Sequence, residues 1–259
     1  MKITRLLKSA AMLAAVLTVF GCAPQQQIGQ MPTLIIRGFP VADGMMPWIV
    51  QVHHRNQSCG GILIEQDLVL TAAHCLYDNR GRRLDTRGFY TVSGSLVFGD
   101  GLLRDVRATI PHPRYNARTK ANDVALLRLE RDAALTFTPL TDWADPRDLS
   151  PGTPLTIAGW GVTEWGDTSR ILLMAEVPLS SEADCRDYWS GLDSGAFCAG
   201  GGRTDACQGD SGGPILHRTV QGRFRLLGVV SFGNGCGRPG APGVYARLAA
   251  YTDWIDRYR

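Results

Sequence analysis

Short apolar runs separated by turn residues dominate the chain from residue 35 onward. They are rich in β-branched side chains, are bounded by glycine or proline, and have the length of strands rather than of helices. Clear examples are Trp48–Val52, Gly61–Ile64, Val124–Leu129, Pro154–Ala158, Arg225–Phe232 and Gly243–Leu248. The pattern predicts an all-β domain.

One segment has helical periodicity instead. Near the C-terminus, aromatic and apolar residues recur at the i, i+3, i+4, i+7 spacing of an amphipathic helix. These residues are Tyr251, Trp254, Ile255 and Tyr258, and they predict a helix from about Leu248 to Tyr258. The chain has 259 residues, 30 of them Gly and 14 Pro, and no repeat or second compositional regime. This favours one turn-rich β domain from residue 35 to residue 259.

The N-terminus is typical of a targeting segment. Three basic residues within the first eight positions precede an apolar stretch, Ala10–Phe20. That stretch is far shorter than the ~20 residues needed to span a bilayer as a helix. We therefore interpret residues 1–21 as a signal peptide, which implies an exported protein.

The end of this segment, Val19-Phe20-Gly21-Cys22, resembles the cleavage box of bacterial lipoproteins, in which the cysteine becomes the acylated first residue. Plain secretion with cleavage after Ala23 is the alternative, and it would leave a proline just after the cut. Residues 22–34, rich in Gln, would then form a short tether or propeptide. We expect a bacterial cell-envelope protein anchored by a lipid on Cys22, or one secreted after processing.

The net charge of +3 does not indicate a nucleic-acid partner. One basic stretch contains Arg80, Arg82, Arg83 and Arg87. A solvated surface loop is the simpler interpretation of it, with a polyanion site as the alternative.

Seven cysteines are an odd number for an exported chain. If Cys22 carries a lipid, six remain and three disulfides are plausible in an oxidising compartment. Six cysteines allow fifteen pairings, and sequence alone does not choose among them. Zinc binding is disfavoured, because no Cys-x-x-Cys pair or paired Cys/His spacing occurs.

The segment Asp205–Pro214 carries the strongest chemical signal. It surrounds Ser211 with three glycines, so the backbone can turn tightly and present N–H groups to a substrate oxygen. An alcohol nucleophile also needs a base that takes its proton and a group that orients the base.

Three segments carry a family resemblance. Gly209–Pro214 resembles the nucleophile segment of chymotrypsin-family, trypsin-like serine proteases, Thr71–Cys75 their histidine segment and Asn122–Leu127 their aspartate segment. The order His, Asp, Ser is also that of the family. The resemblance covers residues 35–259. It implies an all-β fold of two antiparallel six-stranded Greek-key barrels with a C-terminal helix, and an active site in the cleft between them.

The resemblance also implies the catalytic roles. Ser211 would attack the carbonyl, His74 would accept and return its proton, and Asp123 would hold the imidazole. The N–H groups of Gly209 and Ser211 would form the oxyanion hole. We expect no cofactor and no metal. Calcium in particular is not expected to be required, because the region 94–107 is too short for the calcium loop that trypsins carry.

Substrate choice follows from further matches to the family. Asp205 occupies the position at the base of the primary specificity pocket, where a carboxylate favours a cationic side chain. Ser231, Gly233 and Gly243 match other substrate-binding positions. Ala206 replaces the serine that helps trypsin to solvate lysine. We therefore expect cleavage of proteins or peptides after Arg or Lys, with Arg preferred.

The family resemblance also implies an activation step and three disulfides. Ile35 resembles the N-terminus freed by zymogen cleavage, whose ammonium would pair with Asp210. Leu34 before the cut is not basic, so a separate, unidentified activating protease is expected. The implied disulfides are Cys59–Cys75, Cys185–Cys198 and Cys207–Cys236.

Two alternatives to a peptidase remain. One is a catalytically silent homologue that acts as a binding module, although no triad residue is missing. The other is a different hydrolase, such as an esterase, that uses the same triad. The expected partners are peptide substrates, the activating protease and a possible lipid anchor, with no nucleic acid, and the expected oligomeric state is a monomer.

Overall fold

The structure is a computed structural model that describes residues 38–133, 139–163 and 165–259. The predicted signal peptide, the lipidation residue Cys22, the tether and the activation residue Ile35 lie outside the described residues. None of the described helices has the length and apolar character needed to cross a bilayer.

A closed barrel of six antiparallel strands forms the first half of the domain. A two-residue strand, β1 (Phe39–Pro40), precedes it. The barrel strands are β2 (Ile49–His54), β3 (Gln57–Glu65), β4 (Leu68–Thr71), β5 (Phe89–Ser93), β6 (Leu102–Pro111) and β7 (Ala125–Leu129). They pair in the order β2-β3-β4-β7-β6-β5.

A seven-stranded antiparallel sheet forms the second half. Its strands are β1 together with β8 (Pro154–Gly159), β9 (Leu173–Pro178), β10 (Ala196–Gly200), β11 (Pro214–Arg218), β12 (Phe224–Phe232) and β13 (Pro242–Arg247). The order is β1-β9-β8-β11-β12-β13-β10. A single bridge between Leu179 and Ala199 joins the end of β9 to β10, so strands β8 to β13 also close into a barrel. The prediction of a double-barrel, all-β fold is confirmed, with β1 as an additional strand on the second barrel.

The two sets of six strands have the same pairing order. If the strands of each half are numbered from one to six, both sets pair in the cyclic order 1-2-3-6-5-4. In the second set, the contact between strands two and three, β9 and β10, is made only by the Leu179–Ala199 bridge. The sequence contains no visible repeat, because a barrel needs apolar residues at inward positions rather than particular ones. The internal symmetry is therefore a finding of the structure.

The apolar interior is continuous across the halves. Ile62 and Leu126 of the first barrel belong to the same buried cluster as Leu216 and Leu226 of the second. A smaller cluster, which includes Leu155 and Tyr245, fills the interior of the second barrel. Loops at the junction of the two barrels are thus held by packing from both sides.

The helices differ from the prediction in extent and number. The C-terminal segment forms a 3₁₀ turn at Leu248–Ala250 followed by a short α-helix, numbered α2 (Thr252–Ile255). The earlier helix α1 (Glu182–Tyr188) has no apolar stripe of the predicted kind and was missed. Its N-terminal signal is local instead, since the Ser181 hydroxyl accepts a hydrogen bond from the Asp184 N–H at 3.0 Å.

The three disulfides join the expected cysteines, Cys59–Cys75, Cys185–Cys198 and Cys207–Cys236. Among the described residues, the only group of three close metal-ligand types is Cys59, His74 and Cys75. Both of its sulfurs are bonded to each other, so neither is a thiolate that could bind a metal.

Candidate active site

Strand register brings the predicted base and its partner together. His74 lies in a 3₁₀ turn, Ala73–Leu76, that follows β4, and Asp123 lies just before β7. Strands β4 and β7 are paired, with Thr71 opposite Ala125. The Asp123 Oδ2 atom is 2.8 Å from His74 Nδ1, and its Oδ1 atom accepts the His74 backbone N–H at 2.8 Å.

The Asp123 carboxylate is only 2% exposed, and its surroundings favour its charged form. Burial alone would raise its pKa, but the charge of His74 and hydrogen bonds from His74 and Ser231 lower the pKa overall. Asp123 is therefore a fixed anion behind the imidazole. It holds the tautomer in which Nδ1 carries the proton and Nε2 faces the cleft.

Ser231 has a contact that the sequence did not reveal. Its position was predicted to bind substrate, yet its buried side-chain hydroxyl donates a hydrogen bond to Asp123 Oδ2. A serine next to the end of a buried strand gives no local signal of such a partner 108 positions away.

The loop that carries Ser211 is fixed against the first barrel. The Ser211 carbonyl accepts the Gly60 N–H at 2.7 Å. A Cβ atom on Gly60 would lie 2.8 Å from the Gly213 Cα, so the two backbones approach as closely as glycine allows. His74 and Ser211 line the same cavity.

Two backbone N–H groups in this loop are candidates to bind a ligand. Gly209 has φ +99°, a conformation that glycine adopts readily. Among the hydrogen bonds of the described residues, neither the Gly209 N–H nor the Ser211 N–H has a protein acceptor. Two such donors beside one hydroxyl suit an oxygen on which negative charge develops.

Asp210, next to Ser211, is completely enclosed. Its carboxylate accepts the N–H groups of Gly161 and Cys207 at 2.8 and 2.9 Å. Burial raises its pKa to about 6. A Cβ atom on Gly159 or Gly161 would lie 2.2 Å or 2.5 Å from this carboxyl group, so only glycine leaves room for it.

The predicted specificity residues surround one cavity of about 280 Å³, which is also lined by His74 and Ser211. Asp205 is 4% exposed and accepts the Gly237 N–H at 3.0 Å. Burial raises its pKa to about 6. No described Lys or Arg side chain forms an ion pair with it. A Cβ atom on Gly243 would lie 3.4 Å from Asp205 Oδ1, so a larger residue there would narrow the approach to the carboxylate.

Comparison with known proteins agrees with this geometry. Residues 35–255 match the family described as Trypsin. Trypsin eta of Drosophila melanogaster is 35% identical over 87% of this chain and 88% of its own length. Phenoloxidase-activating enzyme 1 of Spodoptera litura is 36% identical over 81% of this chain, which spans only 63% of that relative. Mouse transmembrane protease serine 7 is 34% identical, and this chain spans 28% of it.

The chain belongs to the trypsin family of serine endopeptidases.

Most predicted site residues of this trypsin-family protease meet in one cleft. The cavity brings together His74, Asp205, Ser211, Ser231 and Gly243, and Ala206 and Gly233 also line it. Larger clefts of 460 and 580 Å³ lie along α1, and no triad residue lines either.

Two further features of the site were missed. The glycines of the Gly159-Trp160-Gly161 segment enclose the Asp210 carboxyl group, a role that the sequence analysis did not assign to them. Trp160 anchors that segment through its Nε1–H, which donates to the Leu96 carbonyl at 2.9 Å. Lys120 also lines the catalytic cavity, and nothing in its local sequence marks it. Gly159 and Gly161 were the one signal in the sequence for the first of these features, since two glycines so close together indicate that another group approaches the backbone closely.

Proposed function

We propose that this protease cleaves peptide bonds after arginine, and after lysine more slowly, through a Ser-His-Asp acyl-enzyme mechanism. The observation that carries the proposal is the buried Asp205 carboxylate in the cavity that His74 and Ser211 line. A cationic side chain in this cavity would supply the charge partner that Asp205 lacks among the described residues. Removing that carboxylate from water without a partner is costly, so a cation is strongly favoured over a neutral side chain.

The catalytic steps use the chain's own groups. Ser211 Oγ bonds to the carbonyl carbon while His74 Nε2 takes its proton. The carbonyl oxygen becomes an oxyanion that accepts the N–H groups of Gly209 and Ser211. When the C–N bond breaks, His74 gives the proton to the leaving amine, and an acyl-enzyme remains. Water then repeats the sequence, with His74 as base, and releases the acid.

The preference for arginine rests on Ala206. A lysine ammonium is compact and strongly hydrated, and it benefits from a hydroxyl beside Asp205. Ala206 offers none. A guanidinium can bridge to a carboxylate through two parallel hydrogen bonds without that help.

We further propose that the enzyme is made as a zymogen cut before Ile35. The support is Asp210, whose pKa is raised by burial and which forms no ion pair with a described residue. An ammonium at Ile35 would provide the missing positive charge and stabilise the loop that carries Gly209 and Ser211. Since Leu34 is not basic, another protease would make this cut.

The location proposed is outside the cytoplasm, for which three disulfides give support. Residues 1–21 would be a signal peptide, residues 22–34 a tether acylated at Cys22, and residues 35–259 the protease domain. Cleavage before Ile35 would then release the domain from the lipid. One relative is named for activating phenoloxidase, and limited cleavage of a protein substrate is likewise proposed here.

Two measurements test these proposals. Matched peptide amides that differ only in Arg or Lys before the cleaved bond should give a higher kcat/KM for Arg, and equal values would refute the preference. N-terminal sequencing of the active species should read Ile35. A fully active species that begins at Cys22 would refute the activation step.

A further inference from the structure

Lys120 is placed where it can contact a bound substrate. It is half-buried and lines the cavity that also contains His74, Asp205 and Ser211. It also lines a small neighbouring cavity beside Ser231. Apart from His74, no other basic residue among those that the structure describes lines the catalytic cavity.

The Lys120 ammonium lacks a carboxylate partner among the described residues. Its Nζ donates to the Tyr115 hydroxyl at 3.4 Å, a long hydrogen bond to a neutral group. The nearby acids are engaged elsewhere. Asp123 accepts from His74 and Ser231, and Asp193, which lines the small cavity, accepts the Gly195 N–H at 2.8 Å.

The backbone holds Lys120 in a conformation that lysine rarely adopts. Its φ is +58°, and that of Asn122 is +55°. Non-glycine residues with positive φ are uncommon, and they are concentrated at functional sites. Asparagine tolerates this region, whereas the lysine has no such intrinsic preference.

The surrounding loops carry further positive charges. Arg114 and Arg118 are exposed and form no ion pair with a described residue. The loop at Gly81 touches this segment, because a Cβ atom there would lie 3.3 Å from the Ala117 Cβ. Exposed Arg80 is next to Gly81.

The other three arginines of that basic stretch are already engaged. Arg82 pairs with Asp78, Arg87 pairs with Asp85, and Arg83 donates to the Thr109 carbonyl. Arg80, Arg114, Arg118 and Lys120, none of which pairs with a described carboxylate, thus belong to two neighbouring loops, and Lys120 is the one among them that lines the cavity.

We propose that Lys120 is a specificity-determining residue that favours substrates with Asp or Glu among the residues just before the cleaved bond. Under the proposed function the residue on the acyl side of that bond fills the part of the cavity at Asp205, and the residues before it would lie along the rest of the lining, which includes Lys120. This inference rests on the proposed function for the identity of the cleaved residue only. It adds a preference for a negative charge on the substrate to the proposed preference for a positive charge at the cleaved residue.

The test compares acid and amide side chains of equal shape. Short peptide amides ending in Arg carry Asp or Asn at each of the three preceding positions, and the processed enzyme beginning at Ile35 cleaves them. At one position or more, Asp should raise kcat/KM about threefold to fivefold over Asn, as expected for a partly exposed ion pair. The ratio should shrink towards one in about 0.5 M salt.

Variants assign the effect to one residue. The Asp/Asn ratio should fall to about one in Lys120→Gln, fall below one in Lys120→Glu, and persist in Lys120→Arg. Arg223→Gln removes an exposed charge from a distant turn and should leave the ratio unchanged. Because both substrates are measured in one preparation, the ratio does not depend on the fraction of folded enzyme.

Two outcomes would overturn the inference. One is a ratio near one at every position in the unchanged enzyme, and the other is the same preference in Lys120→Gln. If the enzyme cleaves after a residue other than Arg, the ratio is measured with that residue. Such a result would refute the Arg preference without affecting the assignment of Lys120.

Discussion

Three buried aspartates have different tasks because their neighbours differ. Asp123 faces His74, whose charge and hydrogen bonds lower the pKa of the carboxyl group despite burial. Asp205 and Asp210 receive only backbone N–H groups, and burial raises the pKa of each to about 6. The first is an anion beside His74, whereas the other two have no cationic partner among the described residues, and the proposed function would supply one to each, from the substrate and from Ile35.

Binding of a cationic side chain should therefore depend on the ionisation of Asp205. Its pKa in the free protein is about 6, and a bound guanidinium favours the anion. The affinity of Ser211→Ala protein for an arginine peptide should be constant above about pH 7 and fall about tenfold per pH unit below about pH 6. Calorimetric titration measures it. The matched peptide with citrulline, which is neutral, should show no such fall, and an identical fall for both peptides would contradict the account.

A hydroxyl added beside Asp205 should relax the preference for arginine. In Ala206→Ser, the kcat/KM for a lysine amide should rise severalfold, while that for the arginine amide changes little, because only the ammonium lacks a bidentate contact. Steady-state kinetics with matched amides measures the ratio. An unchanged Arg/Lys ratio would mean that residue 206 does not set it.

At the scale of elements, the glycines at positions 159 and 161 connect β8 with the nucleophile loop. Gly159 ends β8 and Gly161 follows it, and the Asp210 carboxyl group occupies the space that their side chains would fill. The end of β8, which carries no predicted catalytic side chain, therefore holds the loop that carries Ser211 in position.

A methyl group at residue 161 should disrupt this fit. In Gly161→Ala, the new Cβ would lie 2.5 Å from the Asp210 carboxyl group, so the loop with Gly209 and Ser211 must move. We expect kcat/KM to fall on the order of 10²-fold, as for a displacement of about 1 Å at a reacting group. Gly202→Ala is the control, because its Cβ meets nothing within 4 Å. Equal activity of the two variants would contradict the role of Gly161.

The sequence predicted elements well where a pattern is local. The six strand segments depend on residues close in the chain, and each overlaps an observed strand, whereas the catalytic roles and the role of Asp205 came from the family resemblance. Helix α1 was missed because it is short and its main signal is the Ser181 cap. The C-terminal helix is shorter than its apolar spacing suggests, since Tyr251, with φ −123° and ψ 4°, separates the 3₁₀ turn from α2. The contacts of Ser231 and Lys120 depend on the packing of distant segments, which no local pattern encodes.

At the scale of the whole molecule, the site lies at the junction of two barrels with the same strand order. His74 and Asp123 come from the first barrel, and Ser211 and Asp205 precede β11 of the second. The Gly60–Ser211 hydrogen bond and the shared apolar cluster hold the halves together.

Cleavage before Ile35 should change how stability depends on pH. In an uncleaved chain the raised pKa of Asp210 gives stability that is complete below about pH 4 and lost as the pH rises through about 6. An Ile35 ammonium would offset that loss. The difference in unfolding free energy between Ser211→Ala proteins that begin at Ile35 and at Thr33 should therefore grow over this range, to about 3 kcal/mol. A difference that is independent of pH would contradict the pairing.

The most direct test of the proposed triad is the rate at which protein beginning at Ile35 hydrolyses an arginine peptide amide, measured beside the same protein with Ser211→Ala. We expect rapid turnover, which the substitution should lower on the order of 10⁶-fold. Equal rates in the two proteins, or no turnover by folded protein with Ser211 intact, would contradict the assignment of Ser211, His74 and Asp123 as a working triad.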